Sequence, residues 1–217
     1  HPSCLKLESN MLSDMKKILV ILLIITAFNI DVNARGHINS RFVFGVEWGY
    51  VATIFSGYHY NFFAPEGYRV DDYGSSFGYD SNADMYIFAG HEIGKSWELS
   101  AYVGYAGIGD YHEAIPVSIR ATHFFGDDQL ADRWFAFIDA GSGISLKMPV
   151  QEIFTGKIGG GYRVALSRDT SLNFIISARM THTHPQITYD KQQIESERIN
   201  RNNAYLAAIS FGLSLSF

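Results

Sequence analysis

The chain has 217 residues, a formal net charge of -5 and a mean hydropathy of -0.01. This hydropathy is too low for a bundle of membrane-spanning helices, and the length suits one domain. Because the acidic balance comes without a basic stripe, the composition gives no basis for nucleic-acid binding.

One apolar run stands out near the amino terminus. Lys16 and Lys17 follow Met15, residues 18–28 are predominantly apolar, and residues 32–34 (Val-Asn-Ala) have the small-residue pattern of a signal-peptidase site. Since a membrane helix needs roughly 20 apolar residues, this shorter run indicates an export signal. We expect a signal peptide over residues 15–34 and a mature domain over residues 35–217.

Residues 1–14 precede the export signal and are interpreted as an upstream extension or a cloning remnant. The single cysteine, Cys4, lies in this part. The mature chain is therefore expected to have no disulfide, no thiolate metal site and no lipid anchor. We expect no cofactor and no bound metal.

The end of the chain has the clearest strand pattern. Apolar side chains recur at every second position, and they are Tyr205, Ala207, Ile209, Phe211, Leu213, Leu215 and Phe217. Successive strand residues point to opposite faces, so the intervening small residues share the other face. In a membrane barrel the apolar face would meet lipid and the small face would meet a crowded lumen.

Similar segments recur along the mature chain. They span residues 41–55, 83–92, 97–107, 114–125, 133–146, 152–166, 171–181 and 204–217. The connections 94–96, 126–132 and 167–170 are short, whereas 61–82 and 182–203 are long, as in barrels with short periplasmic turns and long outer loops. The sequence therefore predicts an all-β fold, an eight-stranded antiparallel transmembrane β-barrel.

The terminal alternation resembles the C-terminal signal by which the barrel assembly machinery inserts outer-membrane barrels. In that resemblance Tyr205, Phe211, Leu213, Leu215 and Phe217 form the assembly signal. The whole mature chain resembles the small barrels of the OmpA/OmpX type, and residues 115–120 (Ile-Pro-Val-Ser-Ile-Arg) and 159–162 (Gly-Gly-Gly-Tyr) resemble outer-membrane barrels of Bacteroides-like bacteria. The resemblance implies a place in the Gram-negative cell outer membrane, in contact with lipid and lipopolysaccharide.

The face opposite the apolar one carries charged residues. By strand parity it collects Glu47, Glu98, Arg120, Asp139, Lys157, Arg163 and Arg179. Unpaired charges are costly in a narrow interior, so we expect a paired network that closes the lumen, in which Arg120 and Lys157 both pair with Asp139. A narrow porin-like channel is the alternative. On the second strand, the pattern leaves open whether Met85, Ile87 and Ala89 or instead Tyr86 and Phe88 face the lipid.

Aromatic residues lie on several predicted strands, many near the strand ends. They are Trp48, Tyr50, Trp97, Tyr102, Tyr105, Trp134, Tyr162 and Tyr205. Such positions suit the aromatic girdles of a membrane barrel. Ordinary sheet packing, which also favours aromatic residues, is the alternative explanation.

One stretch bears on enzymatic activity. Residues 179–184 resemble the His-x-Ser pair of the lipid A 3-O-deacylases, but His184 stands where the nucleophilic serine belongs. His182 and His184 share a face, yet two imidazoles are a partial metal site. We therefore expect no catalytic residue, and a lipid A-modifying enzyme is the weaker alternative.

The predicted loop 61–82 is rich in Tyr, Gly, Asp and Ser. This composition is typical of an adaptable contact surface for an extracellular ligand and also of a merely mobile loop. The sequence thus predicts a non-enzymatic barrel that acts as a scaffold or contacts a partner through its loops.

Overall fold

The strands of the barrel form where apolar and polar side chains alternate. The computed structural model of the protein describes residues 41–108, 112–126, 128, 131–146, 152–167, 169–185, 187–190 and 192–217. The expected upstream extension, 1–14, and signal peptide, 15–34, lie outside these residues. No helix within the described ranges is long and apolar enough to cross a membrane.

Eight long strands close into an antiparallel barrel. Their bounds are β1 Arg41–Phe63, β2 Arg69–Ile93, β3 Trp97–Ile108, β4 His112–Phe124, β5 Arg133–Ser145, β6 Glu152–Ala165, β7 Ser171–Thr183 and β10 Ile199–Ser216, and the short pair β8 Thr188–Tyr189 and β9 Gln192–Gln193 lies between β7 and β10. Each barrel strand pairs with its neighbour in the chain, and β1 pairs with β10 to close the ring. The predicted eight-stranded antiparallel barrel is confirmed.

The strand alternation separates an apolar outer face from a polar interior. On β2, Met85 is 64% exposed on the outer face, whereas Tyr86 is 2% exposed inside the barrel. Ile87 and Phe88 repeat this order. The parity that the sequence left open on this strand is thereby settled, with Met85 and Ile87 facing outward.

Most of the expected girdle residues face outward. Exposed side chains are found at Trp48, Tyr50, Trp97, Tyr105, Trp134 and Tyr205, and Tyr162 is partly exposed. The prediction is wrong for Tyr102, which is 5% exposed and lies in the interior. Its parity on β3 matches that of buried Glu98 and Ser100, so the alternation places it inside.

The predicted loop at 61–82 is wrong. β1 continues to Phe63 and β2 begins at Arg69, so the connection shrinks to residues 64–68. Cross-strand ring contacts join the two strands, with 5.2 Å between the Phe55 and Phe77 centroids and 5.8 Å between those of His59 and Tyr73. Such pairs stabilise a hairpin even where glycine and aspartate lower the strand propensity.

The long hairpin extends past the rest of the barrel. The last β2 residue paired with β3 is Asp84, and the last β10 residue paired with β7 is Ala204. Residues 54–63 of β1, 69–83 of β2 and 199–203 of β10 form a three-stranded extension, here named the outer sheet.

The inner face of the outer sheet is covered by the connection between β7 and β10. Phe62 packs there against Ile187 and Ile194, with Tyr60 and Val70 beside them. The predicted loop 182–203 is therefore in part ordered, because this small apolar cluster holds its β8–β9 hairpin against the sheet.

Candidate functional site: the charged lumen

Ten charged side chains are buried inside the barrel among the described residues. The five acids are Glu47, Asp84, Glu92, Glu98 and Asp139, and the five bases are Arg120, Arg133, Lys157, Arg163 and Arg179. All seven residues named from the sequence lie in this interior. Sequence reasoning missed Asp84, Glu92 and Arg133, although their parity matches that of Tyr86 on β2 and Asp139 on β5.

Arg120 lies at the middle of the interior and bonds two carboxylates. Its Nη1 and Nη2 donate to Glu47 at 2.6 and 2.9 Å, and its Nε donates to Asp139 at 3.1 Å. The guanidinium also lies over the Tyr102 and Phe137 rings, 4.1 and 4.3 Å from their centroids. This packing restricts the arginine to one orientation, in which the two-point bond with Glu47 adds directional specificity.

Asp84 forms ion pairs with two cations from strands on the far side of the barrel. Its Oδ2 lies 3.5 Å from Lys157 Nζ and 3.7 Å from Arg179 Nη1. Lys157 also donates to the Tyr86 hydroxyl at 3.2 Å. The expected pairing of Lys157 with Asp139 is wrong: the two are backbone neighbours in the sheet, but the long ammonium stem reaches across the lumen to Asp84.

A third cluster lies near the short turns. Arg163 bonds Glu98 at 3.2 Å and Glu92 at 3.3 Å, and Arg133 lies 3.6 Å from Glu92. Both guanidinium carbons stand 4.0 Å from the centroid of the Phe124 ring. Arg133 Nη1 also donates to the Lys95 carbonyl at 2.8 Å, which ties the cluster to the β2–β3 turn.

The buried charges balance, and the two cavities that border them are small. Buried ions are tolerated when they are paired and hydrogen-bonded, and the five acids are matched by five bases. A cavity of about 20 Å³ borders Arg120 and Arg163, and one of about 30 Å³ opens beside Arg163 at the turn end. Each has room for about one water molecule, as expected where eight strands enclose an interior that side chains can fill.

The histidine pair lies on the outer face of the barrel. His182 stacks on Tyr205, with centroids 4.6 Å apart and an interplanar angle of 13°, and its Nε2 lies 3.4 Å from Asn203 Oδ1. His184 Nδ1 bonds the Asn202 carbonyl. Within the described ranges no three His, Cys, Asp or Glu side chains are grouped to hold a metal ion.

The residues named as an assembly signal all lie on or just past β10. Tyr205, Phe211 and Phe217 are exposed on the outer face, and Leu213 and Leu215 share their parity. Phe217 and Phe44 exchange two backbone hydrogen bonds, of 3.1 and 2.8 Å, and their rings stack at 5.7 Å. These contacts close the seam between the first and last strands.

Comparison with solved structures places the fold among known barrels. The outer membrane protein OprG from Pseudomonas aeruginosa aligns with 83% of this chain and 96% of its own, at 9% identity and a TM-score of 0.52. Neisserial surface protein A aligns with 82% of this chain and 99% of its own, at 10% identity and a TM-score of 0.42. The N-terminal β-barrel domain of Pseudomonas aeruginosa OprF aligns with 79% of this chain and 97% of its own, at 14% identity and a TM-score of 0.35. No family model and no curated protein matches the sequence. The likeness to OprG confirms the small outer-membrane barrel as the fold.

Proposed function

We propose that the protein is a non-enzymatic resident of the Gram-negative outer membrane, inserted by the barrel assembly machinery, whose closed barrel holds the outer sheet at the cell surface. The observation that carries the proposal is the charge-balanced interior, in which Arg120 binds Glu47 and Asp139.

The height of the apolar outer face supports the membrane placement. β10 has outward apolar residues from Phe217 back to Tyr205. A strand advances about 3.3 Å per residue, and a tilt of about 40° leaves about 2.5 Å per residue along the barrel axis. Tyr205 therefore lies roughly 30 Å from Phe217 along that axis, which matches a hydrocarbon core of about 30 Å.

The filled interior supports a scaffold over a channel. A conducting pore needs a continuous file of water, whereas the cavities beside Arg120 and Arg163 hold about one water each. Two-point bonding and stacking also fix Arg120, so the side chain that crosses the middle of the interior has few alternative positions.

The outer face at residues 182–184 supports the absence of hydrolytic chemistry. His182 stacks on Tyr205 and bonds Asn203, and His184 bonds a backbone carbonyl. Thr183, the hydroxyl between them, is buried on the opposite face. A nucleophile must lie within hydrogen-bond reach of its base, and this arrangement separates the two.

Two measurements test the proposal. Cell fractionation should place the chain with the outer membrane, and the folded protein in planar bilayers should show no steady ion conductance. As a matched control, the double variant Glu47→Ala with Arg120→Ala empties the middle of the interior and should conduct measurably. Steady conductance by the unaltered protein would replace the scaffold with the narrow-channel alternative.

A further inference from the structure

A recess lies next to Gly57 on the outer sheet. Gly57 has no side chain, and it is flanked along β1 by Phe55 and His59. Its cross-strand partners are Ser75 on β2 and Tyr205 on β10. We name this recess the Gly57 notch. A Cβ at this position would meet nothing closer than the Phe55 ring and the Gly74 carbonyl oxygen, at 3.4 Å or more, so there is room for a small group beside Gly57.

Aromatic rings form the walls of the Gly57 notch. Phe55 and Phe77 pair on the side nearer the barrel, and His59 and Tyr73 pair on the far side. Tyr73 is 74% exposed and Phe77 is 87% exposed, so neither ring is used to fill a protein core. A recess of about 520 Å³ beside Gly57 is lined by Tyr58, His59, Tyr73, Gly74 and Ser75. This volume is within the range of about 300–1,000 Å³ typical of small-ligand sites.

A row of polar groups runs along the far rim of the notch. Arg201 Nη1 donates to His59 Nδ1 at 3.2 Å, and His59 Nε2 donates to Asp71 at 2.9 Å. Hydrogen bonds from Asn61 and then from His59 lower the pKa of Asp71, which keeps this carboxylate ionised. The rim thus offers hydrogen-bond donors and acceptors together, with Arg69 and Arg201 near the carboxylate of Asp71.

The height of the notch restricts what can reach it. Gly57 pairs with Tyr205, the residue that we placed at the outer limit of the apolar band. In a membrane, the outward face at this level meets lipid headgroups rather than acyl chains or bulk water. The outer leaflet of a Gram-negative outer membrane consists of lipopolysaccharide, whose headgroup is a saccharide.

We propose that the Gly57 notch binds a sugar ring of the saccharide headgroup of an outer-leaflet lipopolysaccharide. This inference rests on the proposed place of the protein in the outer membrane. A pyranose has C–H faces that pack on exposed aromatic rings and an edge of hydroxyls that donate and accept, which matches Tyr73 below the His59–Asp71 rim.

The test uses a variant that fills the notch and one that does not. A Cβ at Gly57 would lie 3.4 Å from the Phe55 ring, an ordinary contact, so Gly57→Val should fold and occupy the recess. A Cβ at Gly78, on the same hairpin, would meet nothing within 4 Å, so Gly78→Val is the matched control. The folded full chain in phosphatidylethanolamine nanodiscs is titrated with soluble inner-core oligosaccharide, and its retention of deep-rough lipopolysaccharide is compared with that of lipid A.

We expect Gly57→Val and Tyr73→Ala each to weaken oligosaccharide binding by about tenfold or more, as for loss of a main contact, and Gly78→Val to leave it unchanged. Lipopolysaccharide should be retained in preference to lipid A. Equal retention of both lipids, or full binding by Gly57→Val, would overturn the proposal. Fractionation of the unaltered protein tests the membrane placement separately, because binding of the soluble sugar does not depend on it.

Discussion

Arg120 on β4 and Glu47 on β1 form a two-point ion pair through the interior of the barrel, with N–O distances of 2.6 and 2.9 Å. Both side chains are almost completely buried. The two strands are not neighbours in the sheet, so the pair links parts of the wall that backbone hydrogen bonds do not join directly. Loss of one partner would leave a buried charge that the remaining groups compensate only in part.

The first prediction concerns this pair. Glu47→Ala should lower the free energy of unfolding by about 3–5 kcal/mol, because breaking a buried pair from one side is strongly destabilising and the bond to Asp139 compensates the Arg120 charge only in part. Urea unfolding in detergent micelles measures the change. Glu195→Ala is the control, since Glu195 forms an exposed pair with Arg198 at 3.8 Å that should contribute no more than about 1 kcal/mol.

A double-mutant cycle separates the pair from other effects of these substitutions. The loss in the double variant Glu47→Ala with Arg120→Ala should be smaller than the sum of the two single losses, since the bond that they share is lost only once. Strict additivity of the two single changes would mean that the observed bonds do not couple the two residues.

The second prediction concerns Asp84, which forms ion pairs with two cations. Asp84→Asn should destabilise the barrel by roughly 3–5 kcal/mol, because Lys157 and Arg179 then share no carboxylate. Lys157→Met in that background should restore part of the stability. The same methionine should give no such rescue of Asp139→Asn, and a rescue there would favour the pairing expected from the sequence.

Alternation in the sequence predicts much of this interior. The inward parity of β4, β5 and β6 places Arg120, Asp139 and Lys157 inside, because side-chain direction follows strand position. It does not predict their partners. Lys157 can reach several carboxylates with its flexible stem, and which of them it bonds depends on barrel tilt and stagger, which no single strand encodes.

The outer sheet could not be predicted from the sequence, for a different reason. Residues 69–83 contain the glycines, serines and aspartates that are typical of loops, yet all of them except Gly78 and Tyr79 pair with β1. Their pairing is set by contacts such as Phe55 with Phe77, which join residues far apart in sequence. Strand propensity is mainly a measure of such neighbours, so composition alone could not reveal the extension.

The third prediction separates the outer sheet from the barrel. Phe62→Ala removes the ring that packs against Ile187 and Ile194, so the β7–β10 connection should loosen and trypsin should cleave faster after Arg198. The urea midpoint of the barrel should change little. Phe77→Ala on the same sheet is the control, because that ring is exposed and its loss should leave the cleavage rate unaltered. Equal rates for the unaltered protein and Phe62→Ala would mean that this cluster does not hold the connection.

The fourth prediction is a pH dependence at the tip of the outer sheet. The Tyr68 and Tyr189 hydroxyls bond at 2.8 Å, and this hydrogen bond raises the pKa of Tyr68 to about 12. Since the pKa of an unfolded tyrosine is about 10, the bond contributes stability below pH 10 that is lost as the pH rises through about 12.

Ultraviolet difference titration against Tyr68→Phe isolates this hydroxyl. Tyr189→Phe should bring the pKa of Tyr68 back toward its ordinary value, because the hydrogen bond that contributes most to the shift is then removed. A Tyr68 that ionises near pH 10 in the unaltered protein would contradict the observed bond.

The fifth prediction compares two glycines on β6. A Cβ added at Gly161 would overlap the Phe174 carbonyl oxygen and lie 2.6 Å from Phe135 Cζ, inside the packed interior. Gly161→Ala should therefore cost at least about 1–3 kcal/mol through overpacking, or prevent folding altogether. At Gly156 the nearest atom, the Asp139 carbonyl oxygen, is 3.9 Å away, so Gly156→Ala should be neutral or stabilise by up to about 1 kcal/mol. Heat-modifiable gel migration and urea midpoints measure both variants, and a stable Gly161→Ala barrel would show that β6 approaches β7 less closely than the structure has it.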